Sequence, residues 1–385
     1  MPDDGFVQFN KHIIEYMRGV YVLLLISLLG YTGRVSGQES VTITQCYEWA
    51  RANYPQIHQM GLIDQTERYS LSNVGKAWLP QLSVSGKASY QSDVTKLPLD
   101  GDKISSLLPG FEIPSLSKDQ YQVVAQVDQT IWDGGSTRSA RALTRAEAIA
   151  NREQLESELY ALNDRVNQIY FGCLLQDELI RQNALLQKEL QVNIERIEAM
   201  MENGVANQSD LESMEVELLN ARQNEIELKA SRTVYRQMLA TFINKPLTDQ
   251  VVLKTPESPE RSLSTQINRP ELRALDAKSE WIETQNKQVT AGLMPRIGAF
   301  VQGGYGRPGL NMLEDSFEPY YVAGVRLSWN LGKLYTLKND RRKIEVSRRQ
   351  IDVQRETFLF NTRLQLLQQN TEIKKMTDLM RADDD

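Results

Sequence analysis

Two hydrophobic periods run along this chain, one of helical spacing and one of spacing two. Leu155, Leu159, Leu162, Val166, Ile169 and Cys173 recur at alternating spacings of four and three, and Leu186, Leu190, Ile194, Ile197 and Met201 resume the pattern. A heptad seam of this kind predicts coiled-coil packing. No proline and a single glycine, Gly172, occur between Ser136 and Met201, so the seam predicts one helix roughly 100 Å long at 1.5 Å per residue. Asn203-Gly204 supplies a helix stop, because glycine readily takes the left-handed conformation that closes a helix end. Ser209 or Asp210 is then expected to cap a returning helix with the seam Leu211, Met214, Leu218, Ala221, Leu228, Tyr235, Leu239 and Phe242. Residues 136–243 are thus read as a long helical hairpin. A solvated coiled coil with mixed charged faces accounts for most of Glu195 to Lys229 without any binding site.

After Pro80 the period changes to two. Leu82, Val84, Ala88 and Tyr90 alternate with Ser83, Ser85, Lys87, Ser89 and Gln91, and Tyr121, Val123, Ala125, Val127 and Ile131 alternate with Gln122, Gln126, Asp128 and Thr130. The same pattern returns in Ile297, Ala299, Val301 and Tyr305, then in Tyr321, Ala323, Val325, Leu327 and Trp329, with Arg326, Ser328 and Asn330 opposite. Alternation over such runs predicts strands with one apolar and one polar face. Strands of about ten residues with this alternation and terminal aromatics suit a transmembrane β-barrel; a soluble sheet with one wet face fits the strands taken alone. The segments 94–118 and 307–318, with Pro98, Gly101, Pro109, Pro308 and Gly309, are expected loops between paired strands.

These elements come in duplicate. Pro55 is followed 25 residues later by Pro80, and Pro270 likewise by Pro295; Tyr90 and Tyr305 stand ten residues beyond each second proline. Val124-Ala125-Gln126-Val127 realigns with Val322-Ala323-Gly324-Val325 at an offset of 198. Such self-similarity marks a repeated supersecondary unit of helix, strand pair and long helix. The expected layout is an N-terminal extension and signal peptide, 1–37, and a first repeat, 38–245, with strands 81–93 and 119–132 and the hairpin. A linker, 246–266, then leads to a second repeat, 267–385, with strands 296–306 and 319–331 and a long helix. Pro55 and Pro270 are expected in first helical turns, where a missing N–H costs nothing. At the 198 offset residue 385 matches position 187, whereas the first copy runs on to about 242. The second copy is therefore read as lacking its hairpin turn and return helix, an apparent C-terminal truncation. The fold class is mainly α with a small β part: coiled-coil hairpins plus four strands. Four strands cannot close a barrel in lipid, where single-chain barrels begin at roughly eight and open edges are not tolerated. The chain is accordingly expected to oligomerise, with dimer, trimer and larger rings all open.

Composition narrows the function. The net charge of −6 removes any general reason to expect nucleic acid, and the basic run Arg341-Arg342-Lys343 lies within helical sequence. Arg18, the apolar run Val20 to Leu29, and Ser36-Gly37 before Gln38 follow the order of a secretory signal. The run is too short for a membrane helix, which needs about 20 apolar residues. The two cysteines, Cys46 and Cys173, have no metal-ligand spacing and fall at apolar helical positions, so buried thiols are expected. With two histidines, His12 and His58, and no convergent nucleophile, base or metal set, no enzyme, cofactor or metal site is expected. Gly134-Gly135 reads as a strand-to-helix bend, since the wider dinucleotide fingerprint is missing.

Several motifs in order resemble a known family. Thr42-Ile43-Thr44-Gln45-Cys46-Tyr47-Glu48-Trp49-Ala50 with Asn53-Tyr54-Pro55-Gln56-Ile57 resembles the first helix of TolC-like outer membrane efflux proteins. Leu79-Pro80-Gln81-Leu82, Ile131-Trp132-Asp133-Gly134-Gly135 with Arg138, and Asn203-Gly204-Val205 with Ser209-Asp210-Leu211 are similar to the same family. Together with the duplication they cover nearly everything after residue 38. The resemblance implies a homotrimer whose twelve-stranded barrel crosses the outer membrane of a Gram-negative bacterium and continues as a helical tunnel into the periplasm. It implies a periplasmic adaptor and an inner-membrane pump as partners, and passive conduction in efflux or type I secretion. Gly204, Val205, Ser209, Asp210 and Leu211 would be the adaptor-docking tip, although a helix turn and its cap explain Gly204 and Asp210 equally well. Lys87, Gln126, Asp128 and Arg326 would face the lumen, where solvated charge is the plain alternative. Tyr90, Tyr305 and Trp329 would sit at the membrane interface. The competing reading is a periplasmic adaptor or scaffold that uses its hairpin to bind partners; such a protein would not repeat a strand pair with an outward apolar face.

Overall fold

The computed structural model describes residues 40–94, 116–257, 267–311 and 314–384. The expected signal peptide, most of the loop 94–118 and part of the linker lie outside them. The described elements are β1 (Ser40–Val41), α1 (Ile43–Asn53), a short 3-10 turn at Pro55–Ile57, α2 (His58–Gly75), β2 (Gln81–Tyr90), β3 (Asp119–Trp132), α3 (Ser136–Glu202), α4 (Gln208–Ile243), β4 (Val252–Leu253), α5 (Pro270–Ala291), β5 (Arg296–Arg307), β6 (Glu318–Ser328) and α6 (Lys333–Asp384). The first and last large strands thus end three residues sooner than alternation suggested, at Tyr90 and Ser328. The described residues form two compact units, one of Ser40 to Asn53 and Asp164 to Glu257, the other of the rest of them.

In the first unit the seam of α3 and α4 is the core. Val166, Ile169, Tyr170 and Cys173 on α3 and Leu218, Ala221, Leu239 and Ile243 on α4 are buried, at the three-and-four spacing that places them on one stripe. Gly172 is required here, because a Cβ would lie 2.5 Å from the Tyr235 ring. Towards the turn the seam becomes polar: Leu186, expected inside, is 47% exposed, and Asn183 is buried instead. Gln187 donates to Asn183 (2.6 Å) and Glu225 (2.8 Å), and Glu225 in turn pairs with Lys229. A satisfied polar layer in a seam restricts helix register at some cost in stability.

The segment read as linker does more than connect. Its β4 pairs in parallel with β1, Ser40 beside Val252 and Val41 beside Leu253. The buried Tyr170 hydroxyl donates to the carbonyls of Val41 (2.9 Å) and Lys254 (2.6 Å), and the buried Arg236 guanidinium donates to those of Thr248 and Val251. Cys46 and Cys173 are free, fully buried thiols, as expected. Burial pushes each thiol up to about 11, so neither is a ready nucleophile at neutral pH.

In the second unit Pro270 opens α5, and Ile282, Ile344 and Ile351 form a core between α5 and α6, backed by Leu275, Trp281 and Val289. Arg152 on α3 ties α2 through Asp64 (2.8 Å) and Glu67. The four large strands make one antiparallel sheet in the order β2-β3-β5-β6. The outer edges of β2 and β6 have no partner among the described residues. A register shift at Thr130/Trp132 marks a bulge in β3. It accounts for a change in the repeat offset, since Val127 matches Val325 at 198 whereas Trp132 matches Trp329 at 197. One extra residue in a strand is what a bulge inserts.

Candidate functional site

Register sorts the sheet into two faces. Leu82, Val127, Val301 and Ala323 lie in one row across the strands, and Val84, Ala125, Gly303 and Tyr321 in the next. This apolar face is bare: Val84 is 70% and Tyr321 79% exposed. At one margin Phe317 stacks on Tyr305 (5.7 Å between centroids) and Tyr121 (6.4 Å); at the other, Trp329 donates its indole N–H to Leu293 (2.9 Å). Aromatic rings with one polar handle gather where an apolar surface meets water.

The opposite face carries all four residues assigned to it from alternation, Lys87, Gln126, Asp128 and Arg326. Three of them come together. Gln126 donates to Asp128 (2.7 Å), and Arg326 lies 3.9 Å from Asp128 and 4.8 Å over the Phe300 ring. Lys87 does not join them, being six residues along β2 from the partner of Asp128, Gln81, or about 20 Å. Phe300 and Tyr320 on this face were not singled out from sequence, although strand parity alone places them there. Gly324 leaves room for the Phe300 ring, and Gly304 for Tyr320, whose hydroxyl meets Gln122.

Where β3 enters α3, Gly134 and Gly135 both have positive φ, 67° and 83°, and a Cβ on Gly134 would lie 2.5 Å from that of Met294. The bend expected from sequence is therefore also a close approach. Asp133 accepts from the amides of Gly135 (2.9 Å) and Thr137 (2.6 Å). Burial raises its pKa, but the bonds from Thr137 and Gly135 outweigh it and hold the carboxyl below its ordinary value.

In the first unit, the tip joins α3 to α4. Gly204, at φ 73°, closes α3, with its amide bonded to Met201 and that of Val205 to Met200. The cap of α4 is Asn207 rather than Ser209 or Asp210. Asn207 is extended, its side chain accepts from the Asp210 amide (3.1 Å), and the Asp210 carboxylate accepts from the Asn207 amide (3.2 Å). Only a residue outside the helix can close this reciprocal box, which puts Asp210 at the third helical position. Ser209 lies in the first turn and its carbonyl accepts from Ser213. Gly204 and Asp210 are thus fully employed by local structure, Leu211 is half-buried, and Val205 stands 69% exposed.

A sequence profile of the outer membrane efflux protein family matches residues 46–245, more than half of the chain. Comparison with curated proteins finds no match. Among solved structures, the chain is similar to the outer-membrane channel OprN (TM-score 0.56, 16% identity, covering 83% of this chain and 71% of that one). It is also similar to the CmeC outer membrane channel of Campylobacter jejuni (0.55, 12%, 83% and 68%) and to the outer membrane protein VceC of Vibrio cholerae (0.52, 14%, 83% and 75%).

Proposed function

Because this chain belongs to the outer membrane efflux protein family, we propose that it is the outer membrane channel subunit of a tripartite efflux or type I secretion system, in which three copies complete one passive conduit. The observation that carries this reading is the sheet: four strands, an exposed apolar face, and edges at β2 and β6 that are unpaired among the described residues. Lipid can cover such a face, but it cannot satisfy the edges, so each must find a strand of another copy. Three sectors give twelve strands. The apolar face then meets hydrocarbon, and the face with Asp128, Gln126 and Arg326 lines the lumen, where opposed charges tune ion passage. No step requires a nucleophile or an energy source in this chain; export is driven by the inner-membrane pump to which a periplasmic adaptor links it.

The same reading makes the hairpin tip the adaptor-docking surface. Gly204 and Asp210 shape it, whereas Val205, whose side chain is exposed and unneeded by the turn, supplies the contact together with Ser209 and Leu211. An apolar side chain held at a helix end is the kind of anchor that a partner helix buries. Val205→Asp is expected to lower crosslinking to the adaptor and leave conductance unchanged.

The test of the whole reading is fractionation followed by conductance. The full chain should be recovered with outer membranes as a heat-labile trimer and should conduct ions in planar bilayers. Recovery as a soluble monomer would overturn it, and would favour the scaffold alternative.

A further inference from the structure

An open cleft of about 920 Å³ lies where β3 passes into α3 and α5 passes into β5. Arg138, Arg141 and Arg145 line it at spacings of three and four, hence on one face of α3. Lys287 reaches it from α5. All four side chains are exposed, and none belongs to an ion pair among the described residues. The one acidic lining residue, Asp133, already accepts the amides of Gly135 and Thr137. Four cations thus face one cleft against a single committed carboxylate. Other arginines of this unit, among them Arg152, Arg348 and Arg355, each hold a carboxylate, and those without an ion pair, such as Arg341 and Arg342, do not line this cleft.

The phase of α3 turns the arginines of this cleft away from the polar side of the sheet. Ser136 lines a neighbouring cavity that meets the cleft at Asp133 and Thr137 and is formed mainly by residues of the polar face, Asp128, Phe300 and Arg326 among them. At about 100° per residue around a helix, Arg138 and Arg145 point roughly opposite Ser136. Trp78 and Met294, each about two-fifths exposed, stand at the rim.

We propose that this cleft binds the phosphate of an anionic glycerophospholipid in the inner leaflet of the outer membrane. The proposal rests on the apolar sheet face meeting lipid. Hydrocarbon over that face brings the headgroup layer to the level where the strands become helices. Unpaired cations at that level attract anionic lipid, and a half-exposed tryptophan suits the interface. A guanidinium offers two parallel N–H donors to phosphate oxygens, which an ammonium cannot, so three arginines and one lysine suit a phosphate better than a diffuse surface potential requires. Charge complementarity with acyl chains continuing along the apolar face favours a lipid over a free ion.

The test uses the full chain in phosphatidylethanolamine vesicles doped with phosphatidylglycerol or phosphatidylcholine whose acyl chains are brominated. Trp78 emission is obtained by difference from Trp78→Phe. Quenching is expected to prefer the brominated phosphatidylglycerol, and each of Arg138→Gln, Arg141→Gln, Arg145→Gln and Lys287→Gln should lower that preference roughly fivefold. Neutralising Arg341, Arg342 and Lys343 in the same way should leave it intact. Equal quenching by both lipids, or unchanged preference in the four variants, would overturn the site alone. Binding of inorganic phosphate to the detergent-solubilised chain as tight as that of phosphatidylglycerol would also overturn it, by assigning the cleft to a free anion. Should Val84, labelled with a fluorophore, escape quenching altogether, the sheet does not meet lipid and the barrel reading falls with the site.

Discussion

The helical hairpin and the four-stranded sheet use the same device, an apolar stripe opposite a polar one, and leave it in opposite states. On the hairpin the stripe is closed within the chain: Leu239 and Val166 have no accessible surface. On the sheet the stripe is bare, with Val84, Tyr321 and Val325 each more than two-thirds exposed. A chain that buries one stripe and displays the other is built for two environments. Helix packing against helix needs only water as the excluded medium, whereas a bare sheet face with open edges calls for lipid and for further strands.

The sharpest way to break this comparison is to damage each stripe and change the medium. Leu239→Ala removes a fully buried side chain and is expected to cost about 2 to 5 kcal/mol in detergent and in vesicles alike, read by urea denaturation. Val84→Lys should be nearly neutral in detergent and cost about 2 to 4 kcal/mol in a bilayer. An equal penalty in both media would mean that the sheet packs against protein.

Next in size is the junction. Gly134→Ala forces a side chain onto a positive φ and against Met294, an expected loss on the order of 1 to 3 kcal/mol, whereas Gly135→Ala, which meets no neighbour within 4 Å, should lose less. Equal losses would show that backbone strain alone governs the bend. At the tip, Asn207→Ala removes one half of the capping box and should cost about 1 kcal/mol, visible as faster hydrogen exchange at Ser209 and Asp210 with the seam unaffected. Ser209→Ala should leave those amides as they are.

The smallest effect is electrostatic. Asp133 has a depressed pKa in the folded chain, so its contribution is present above the unfolded value of about 3.9 and is lost as pH falls through the lower folded value. Asp133→Asn should therefore reduce the acid sensitivity of stability below pH of about 4 and change little near neutrality. A change at neutral pH larger than the change in acid would assign the residue to packing instead.

The seam was legible because helical packing repeats every few residues: Leu155, Leu159, Leu162, Val166, Ile169 and Cys173 are all buried, as their spacing demands. Leu186 failed the same rule because Gln187, Asn183 and Glu225 form a layer between two helices, and nothing local announces a bond across 38 residues. The cap was misplaced by two to three residues since Asn207, Ser209 and Asp210 are all chemically able to cap; only the extended backbone of Asn207 decides. Alternation correctly put Lys87, Gln126, Asp128 and Arg326 on one face, yet could not say that Lys87 stands apart, which depends on the pairing of Gln81 with Asp128.

By itself, the sequence determined what repeats: helix and strand periods, the duplication, the glycine bend, the turn at Gly204 and the family to which these belong. Each is written in residues a few positions apart, within reach of one helical turn or one pleat. Only tertiary structure decided the strand order β2-β3-β5-β6, the bulge that turns an offset of 198 into 197, and the pairing of a supposed linker with β1. It also decided that Arg138, Arg141 and Arg145 meet Lys287 at one cleft. These depend on segments distant in the chain, whose approach is set by chain closure and packing rather than by any local period.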